Sequence, residues 1–117
     1  MVPAAAGMKV HLAFGYADMR KWMDSLAMLV RSVLKADPFS GHLFAFRGRK
    51  ANLVKILLWD GTGLCLFSKR FDSAGFPWPS AEDPSEMFTL SPAQLSMLLE
   101  GIDWRMPERR WQPTAAG

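Results

Sequence analysis

The strongest constraint on the fold is a tight turn at residues 60–63 that begins with Asp60-Gly61 and separates two short apolar runs. An Asp-Gly pair supplies the positive φ angles that a hairpin turn demands. The flanking runs, 53–60 and 64–70, are rich in branched and aromatic residues, as strands are. With a third such run at 42–47, they predict a three-strand antiparallel meander.

Both faces of this predicted sheet are largely apolar. One face carries Val54, Ile56, Leu58, Cys65 and Phe67. The other carries Leu53, Lys55, Leu57, Trp59, Leu64, Leu66 and Ser68. A helix can cover one face, so the second needs the C-terminal helix, an aromatic loop or a partner chain.

A strand and an amphipathic helix are predicted ahead of the meander. Residues 9–14 alternate in polarity and Gly15 is expected to end that strand. From Asp18, which would cap the helix, apolar residues recur at three- and four-residue spacing until Asp37-Pro38 stops them. This spacing predicts one long helix of four to five turns whose apolar positions are Met19, Trp22, Met23, Leu26, Leu29, Val30, Val33 and Leu34.

The C-terminal helix has the clearest signals of the chain. Ser91 is an N-cap, Pro92 occupies the first helical position and Gln94 completes a capping box. Leu90 can staple onto Leu95, and Gly101 provides a left-handed C-cap.

Together these elements predict an α+β fold in a single small domain. The order is an N-terminal strand, a long amphipathic helix, the meander and a C-terminal helix. We expect the domain to span 8–112, with 1–7 as a flexible N-terminal extension and 113–117 as a flexible tail. The proline-rich stretch 76–84 is expected to be a structured loop because Phe76 and Trp78 favour burial.

Composition excludes several classes of protein. The chain has 117 residues, 50% of them hydrophobic, with Cys65 as its one cysteine and His11 and His42 as its two histidines. Disulfide scaffolds and Cys/His zinc sites are therefore excluded. Transmembrane proteins are excluded because no apolar run approaches the roughly 18 residues that a membrane span needs. The small, uncharged first seven residues do not resemble a signal peptide, so we expect a cytoplasmic protein.

Charge is unevenly distributed along the chain. Residues 1–70 hold 11 Lys/Arg against 4 Asp/Glu, whereas residues 71–117 hold 3 against 7. The densest basic stretch comprises Arg47, Arg49, Lys50, Lys55, Lys69 and Arg70. Such a stretch can form a phosphate-binding surface. Alternatively, its members are solvated strand ends or pair with the acidic third, and the sequence leaves both interpretations open.

No constellation of residues predicts catalysis. Asp18, Asp60 and Glu100 occur in the order of a two-metal carboxylate triad, but each has a separate structural explanation as a helix cap, a turn residue and a last-turn residue. His11 and His42 lack metal-ligand spacing, and Cys65 suits core packing. We therefore predict no enzyme activity, no cofactor and no metal.

Two further features suggest contacts with a nucleic acid or a partner protein. A basic hairpin tip, 47–50, can reach a nucleic-acid groove. On the first helix, Met19, Trp22, Met23 and Met28 can form either a partner-binding face or part of the core. Core packing is the favoured interpretation.

Several strings, taken in order, resemble one family. They are Asp18-Met19-Arg20-Lys21, Asp37-Pro38-Phe39-Ser40-Gly41, Phe44-Ala45-Phe46-Arg47, Lys55-Ile56-Leu57-Leu58-Trp59-Asp60-Gly61, Lys69-Arg70, Phe76 with Trp78-Pro79, and Leu98-Leu99-Glu100-Gly101-Ile102-Asp103-Trp104. Over 8–112 the chain resembles the small accessory protein, often called TnpB, that is encoded by the second reading frame of insertion sequence 66 family elements. An unrelated RNA-guided nuclease of the same name is far longer and carries zinc-binding cysteines.

The resemblance implies a bacterial mobile-element protein that is encoded beside a short helix-turn-helix protein and a larger carboxylate-triad transposase and is needed for efficient transposition. The chain departs from the family pattern in two places. Trp22 stands where glycine is common, and Ala51-Asn52 replaces a more strongly charged turn.

Two functional hypotheses follow. In the first, a non-enzymatic accessory factor contacts the DNA of element ends through Arg20, Lys21, Arg47, Arg49, Lys50, Lys55, Lys69 and Arg70. An apolar surface would then dock the transposase, other proteins of the same element, or a second copy. In the second, the protein is an adaptor or dimerisation module with no direct DNA contact, and its interface comprises Trp59, Phe76, Trp78 and Trp104. Neither hypothesis involves a membrane.

Overall fold

The computed structural model describes residues 7–50, 52–72, 78 and 86–102. Five strands and two short helices follow one another in this part of the chain. They are β1 (Val10–Tyr16), α1 (Met23–Ser32), β2 (Leu43–Arg47), β3 (Leu53–Trp59), β4 (Leu64–Arg70), β5 (Met87–Leu90) and α2 (Pro92–Leu99).

The strands form one mixed sheet in the order β4-β3-β2-β1-β5. Strand β1 lies parallel to β2 and antiparallel to β5, while β3 is antiparallel to both β2 and β4. Because β1 and β2 are parallel, the chain must cross over between them, and α1 lies in this crossover. The sheet therefore combines a crossover unit with antiparallel neighbours.

The predicted fold class is wrong. Strands dominate the structure, and a five-strand mixed sheet replaces the predicted three-strand meander with its separate N-terminal strand. The difference arises from long-range pairing, because β1 lies between β2 and β5. Residues 87–90, for which no strand was predicted, pair with β1.

The long helix predicted from Asp18 is also wrong, since α1 has only 10 residues. The Asp18 carboxylate does not cap it. Instead, Asp18 accepts hydrogen bonds from the backbone and guanidinium of Arg20, and its carbonyl accepts the Lys21 N–H. These bonds close a local turn, so the helix begins only after Trp22, whose side chain makes no capping bond. Strand β1 likewise continues past Gly15, where it was expected to end.

Two local predictions are confirmed. Between β3 and β4, Gly61 has φ of +104°, and Asp60 accepts the N–H groups of Thr62 and Gly63 at 2.9 Å each. At α2, Ser91 and Gln94 form both hydrogen bonds of the capping box, with Pro92 in the first turn. Beyond the helix, Gly101 has φ of +78°.

Each face of the sheet has its own apolar cluster. On the face covered by α1, Leu26, Val30 and Leu34 pack with Phe44, Phe46 and Leu57. On the opposite face, Leu95 and Leu98 of α2 pack over Val10, Leu12, Leu43, Ala45, Val54, Ile56, Leu58 and Leu90. Trp78 packs against this second cluster. The sequence left open what covers this second face. In the structure, α2 and Trp78 both contribute to its cover.

Candidate nucleic-acid interface

The eight cations predicted to bind DNA lie at one end of the sheet, which we call the basic end. Strand pairing sets this arrangement, because Tyr16 is opposite Arg47 and Leu53 is opposite Arg70. The end therefore gathers the last residues of β1, β2 and β4 and the first residues of β3. The eight are Arg20, Lys21, Arg47, Arg49, Lys50, Lys55, Lys69 and Arg70.

Two chain segments meet at the basic end. The Ala17 N–H donates to the Arg47 carbonyl at 3.0 Å, which fastens the β1–α1 loop to the end of β2. At the following residue, a Cβ atom added to Gly48 would lie 2.7 Å from Cγ of Met19. This distance is shorter than real Cβ contacts, so any side chain at position 48 would force Met19 to shift. The segments enclose a cleft of about 490 Å³ lined by Ala17, Asp18, Met19, Arg20, Gly48 and Arg49.

Some of the eight cations are engaged with backbone carbonyls of the protein. Arg47 donates to the Phe14 carbonyl at 3.2 Å, and its guanidinium lies 5.9 Å from the centre of the Trp78 ring. Lys55 Nζ donates to the Lys21 carbonyl at 3.1 Å. These contacts hold neighbouring segments of the basic end together. The positive charges of Arg47 and Lys55 remain close to that end.

Lys69 joins the basic end to α2. Its ammonium donates to the Leu99 carbonyl, in the last turn of that helix, and lies 5.0 Å from the centre of the Phe71 ring. A cation suits this position because the carbonyl end of a helix carries partial negative charge.

Arg20 is paired but exposed. Its guanidinium forms two hydrogen bonds with the Asp18 carboxylate, at 3.0 and 2.9 Å. These bonds hold the pKa of the Asp18 carboxyl well below its usual range and raise the pKa of Arg20. An exposed pair of this kind is weak, because water and salt screen both charges.

The remaining cations face solvent to different degrees. Arg49, Lys50 and Arg70 are exposed, and Lys21 is half-buried. Arg49 and Lys50 lie in the β2–β3 turn, while Arg70 ends β4 opposite Leu53. Together with Arg20, these residues present charge from three separate segments at one end of the molecule.

The residues predicted as an apolar interface do not form a single described surface. Trp59 is half-buried and meets Phe39 edge-on, with ring centres 5.3 Å apart. Trp78 donates its indole N–H to the Ala13 carbonyl at 2.8 Å. Phe76 and Trp104 lie outside the described residues.

The sequence left two interpretations of the Met and Trp residues on the first helix, a partner-binding face or core, and α1 does carry an exposed apolar face. Trp22 and Met28 are 62% and 66% exposed, so the prediction of core packing is wrong for both. Met19 and Met23 do pack against the α1-side cluster. Helical spacing places Met28 outside the arc that contains Leu26 and Val30, whereas Trp22 fits the apolar period but precedes the helix as its extended N-cap.

The rejected catalytic candidates have structural contacts. Asp60 lies at the hairpin turn, remote from Asp18 at the other end of β3, and its hydrogen bonds from Thr62 and Gly63 lower its pKa to about 2. His11 shares a 3.1 Å hydrogen bond with Thr89 and meets His42 edge-on. Within the described residues, no three His, Cys, Asp or Glu side chains form a potential metal site.

Comparison with known proteins gives the same family as the sequence resemblance. A family model described as IS66 Orf2 like protein matches residues 8–109. Two uncharacterized proteins of Sinorhizobium fredii (strain NBRC 101917 / NGR234) are similar over nearly their whole length. Protein y4hO is 50% identical over 117 residues, which is 100% of both chains, and y4jC is 33% identical over 110 residues, which is 94% of this chain and 92% of its own.

No solved structure matches the chain. Neither helix in the described part of the chain is long and apolar enough to cross a membrane.

Proposed function

This chain belongs to the IS66 Orf2-like family and is therefore an insertion-element accessory protein, and we propose that it contacts element DNA through the basic end of its sheet. It would act without enzymatic activity or a cofactor, in the bacterial cytoplasm where the element and its transposase meet. The proposal concerns the mode of action, which family membership leaves open.

One observation carries the proposal: cations from separate stretches of sequence converge at the basic end. Exposed Arg49, Lys50 and Arg70 supply charge from a turn and a strand end, and Arg20 adds a guanidinium at the cleft. Cations on one surface bind a duplex by neutralising phosphates and releasing counterions. This mechanism works for a chain with a net charge of only +3, because the charge is local.

We assign the eight cations two roles. Arg20, Lys21, Arg49, Lys50 and Arg70 would meet phosphates directly. Arg47, Lys55 and Lys69 would act as positioning residues, since each donates to a backbone carbonyl and fastens a neighbouring segment. Phosphate contacts of this type position a protein on DNA but do not read its sequence.

A salt series of mobility shifts tests the proposal. The probes are a duplex from the element end and an unrelated duplex of equal length. The variant Lys50→Ala/Arg70→Ala should bind both more weakly, and the slope of log K against log salt should decrease by about 2. The matched control Lys9→Ala/Lys35→Asn also removes two exposed cations, and asparagine suits the left-handed φ of +53° at position 35.

The two double variants give a clear decision. Weak binding by the first and near-normal binding by the control support the basic end as the DNA contact. Equal losses in both variants would mean that DNA binds elsewhere on the protein or that binding responds only to net charge. No binding by the wild-type protein at low salt would remove the DNA contact altogether.

The second candidate function is an adaptor that binds the transposase without touching DNA. The observation that favours it is the exposed apolar face of α1 around Trp22 and Met28. Exposed aromatic and methionine side chains are typical of interface centres. Co-purification of this protein with the transposase and labelled element ends shows which pair associates. Transposase retention without DNA binding would favour the adaptor.

A further inference from the structure

The outer face of α1 contains more apolar surface than a solvated helix needs. Trp22, Met28 and Val33 are exposed, the last by 39%, and Leu29 is half-buried. A groove of about 350 Å³ runs along the helix beside Met28, Leu29 and Val33. Its lining comprises Lys21, Asp24, Ser25, Met28, Leu29, Ser32 and Val33.

Helix geometry divides this face into a centre and two flanks. Successive residues are rotated by about 100°, so Ser25, Met28 and Ser32 lie at the centre, opposite the side that packs on the sheet. Trp22, Leu29 and Val33 form an apolar flank. Asp24 and Arg31 form a charged flank, and both are exposed.

We propose that a second copy of this chain covers the face, with the two α1 helices antiparallel. A two-fold axis perpendicular to antiparallel helices brings each flank against the same flank of the partner subunit. The apolar flanks then meet, and so do the charged flanks. A parallel two-fold pair would instead set each charged flank against an apolar flank.

The register follows from two pairs of residues. An axis near Ala27 and Met28 places Asp24 opposite Arg31 of the partner subunit and Trp22 opposite Val33 of the partner subunit. The same axis satisfies both pairs, which lie on different flanks. Charge complementarity therefore supports a second copy as the occupant, since Asp24 lies in the first turn of the helix and Arg31 in its last turn.

Two details suit close helix packing. Ser25 and Ser32 are small and lie at the centre of the face, so the helix axes can approach to about 8–10 Å. The Arg31 guanidinium lies 5.6 Å from the centre of the Phe39 ring, which supports it at the charged flank. Because α1 leads away from the basic end, an antiparallel pair would carry its two basic ends at opposite ends of the dimer.

Sedimentation equilibrium of the full chain over a concentration series tests the proposal. The wild-type protein should form a reversible dimer. Met28→Glu should weaken dimerisation at least about tenfold, because it buries a charge near the two-fold axis. Ile102→Glu, at another exposed apolar residue, is the matched control and should dimerise normally. A wild-type monomer at every concentration, or an unaffected Met28→Glu dimer, would overturn the proposal.

A charge exchange tests the antiparallel register. Asp24→Arg and Arg31→Asp should each weaken the dimer, and the double variant should recover most of the wild-type affinity. Asp72→Arg is the control for reversing an exposed acid elsewhere, and thermal unfolding checks that each monomer folds. Additive weakening in the double variant would overturn the register. A monomer that instead uses this face to bind the transposase would overturn self-association while leaving the DNA proposal intact.

Discussion

Asp18 and Arg20 form a two-point ion pair at the cleft of the basic end, with N···O distances of 3.0 and 2.9 Å. Asp18 also accepts the Arg20 backbone N–H at 3.0 Å. The carboxylate thus orders the loop and neutralises one of the cations that would meet DNA. Since both residues are exposed, an incoming phosphate can compete with Asp18 for the guanidinium.

The substitution Asp18→Asn should strengthen DNA binding if the basic end is the contact. The amide oxygen of the asparagine could still accept the Arg20 N–H, so the loop turn should survive, while a negative charge is removed and Arg20 is released. The salt slope should become steeper by about 1. Fluorescence anisotropy with the element-end duplex measures both quantities.

The control for this variant is Asp37→Asn, which removes an exposed carboxylate that also accepts a backbone N–H, from Phe39. It should leave the salt slope unchanged. Equal effects of the two substitutions would mean that only net charge matters. Weaker binding by Asp18→Asn would show that the ion pair assists the contact.

Gly48→Ala should destabilise the basic end through a direct clash with Met19. The added Cβ would lie 2.7 Å from Cγ of Met19, which is in the middle of that side chain. Overpacking of this kind costs about 1–3 kcal/mol. Urea denaturation should show the loss, and Met19→Ala in the same chain should recover part of it. A double variant no more stable than additivity predicts would contradict the clash.

The features that were predictable from sequence are those decided by neighbouring residues. The hairpin at 60–63 and the capping box at Ser91 each depend on a few consecutive side chains and one turn geometry. The pairing of β1 with β5 joins residues about 80 positions apart, as in Val10 opposite Leu90. No local pattern specifies such a partner, so the mixed sheet was missed.

The long helix was overpredicted because apolar spacing continued through a loop. Met19 fits the helical period, yet its side chain contacts Gly48 across the cleft. At the candidate site, the sequence supplied the cations but not their roles. The hydrogen bond from Lys55 to the Lys21 carbonyl, for example, depends on where α1 begins over the sheet. Internal and exposed cations therefore look alike in sequence.

Ser91→Ala should cost about 1 kcal/mol of stability, because it removes the side-chain acceptor for the Gln94 N–H at 3.1 Å. Since α2 covers one apolar cluster of the sheet, the loss should appear in global unfolding. Ser96→Ala, at an exposed position inside the same helix, is the matched control and should change stability by a few tenths of a kcal/mol. Similar losses in both would argue against the cap.

His11 should make the protein less stable as the pH falls from about 7 to about 5. Burial lowers the pKa of His11, and the nearby His42 and Lys9 lower it further. Its ring also contacts Phe44, with centres 5.3 Å apart, and hydrogen-bonds to Thr89. The folded state therefore binds fewer protons than the unfolded state just below the ordinary histidine pKa of about 6.5, so stability is full above that value and is lost below it. Urea denaturation across this range should show the slope, and His11→Gln should reduce it. An identical slope in His11→Gln would assign the pH dependence to other groups.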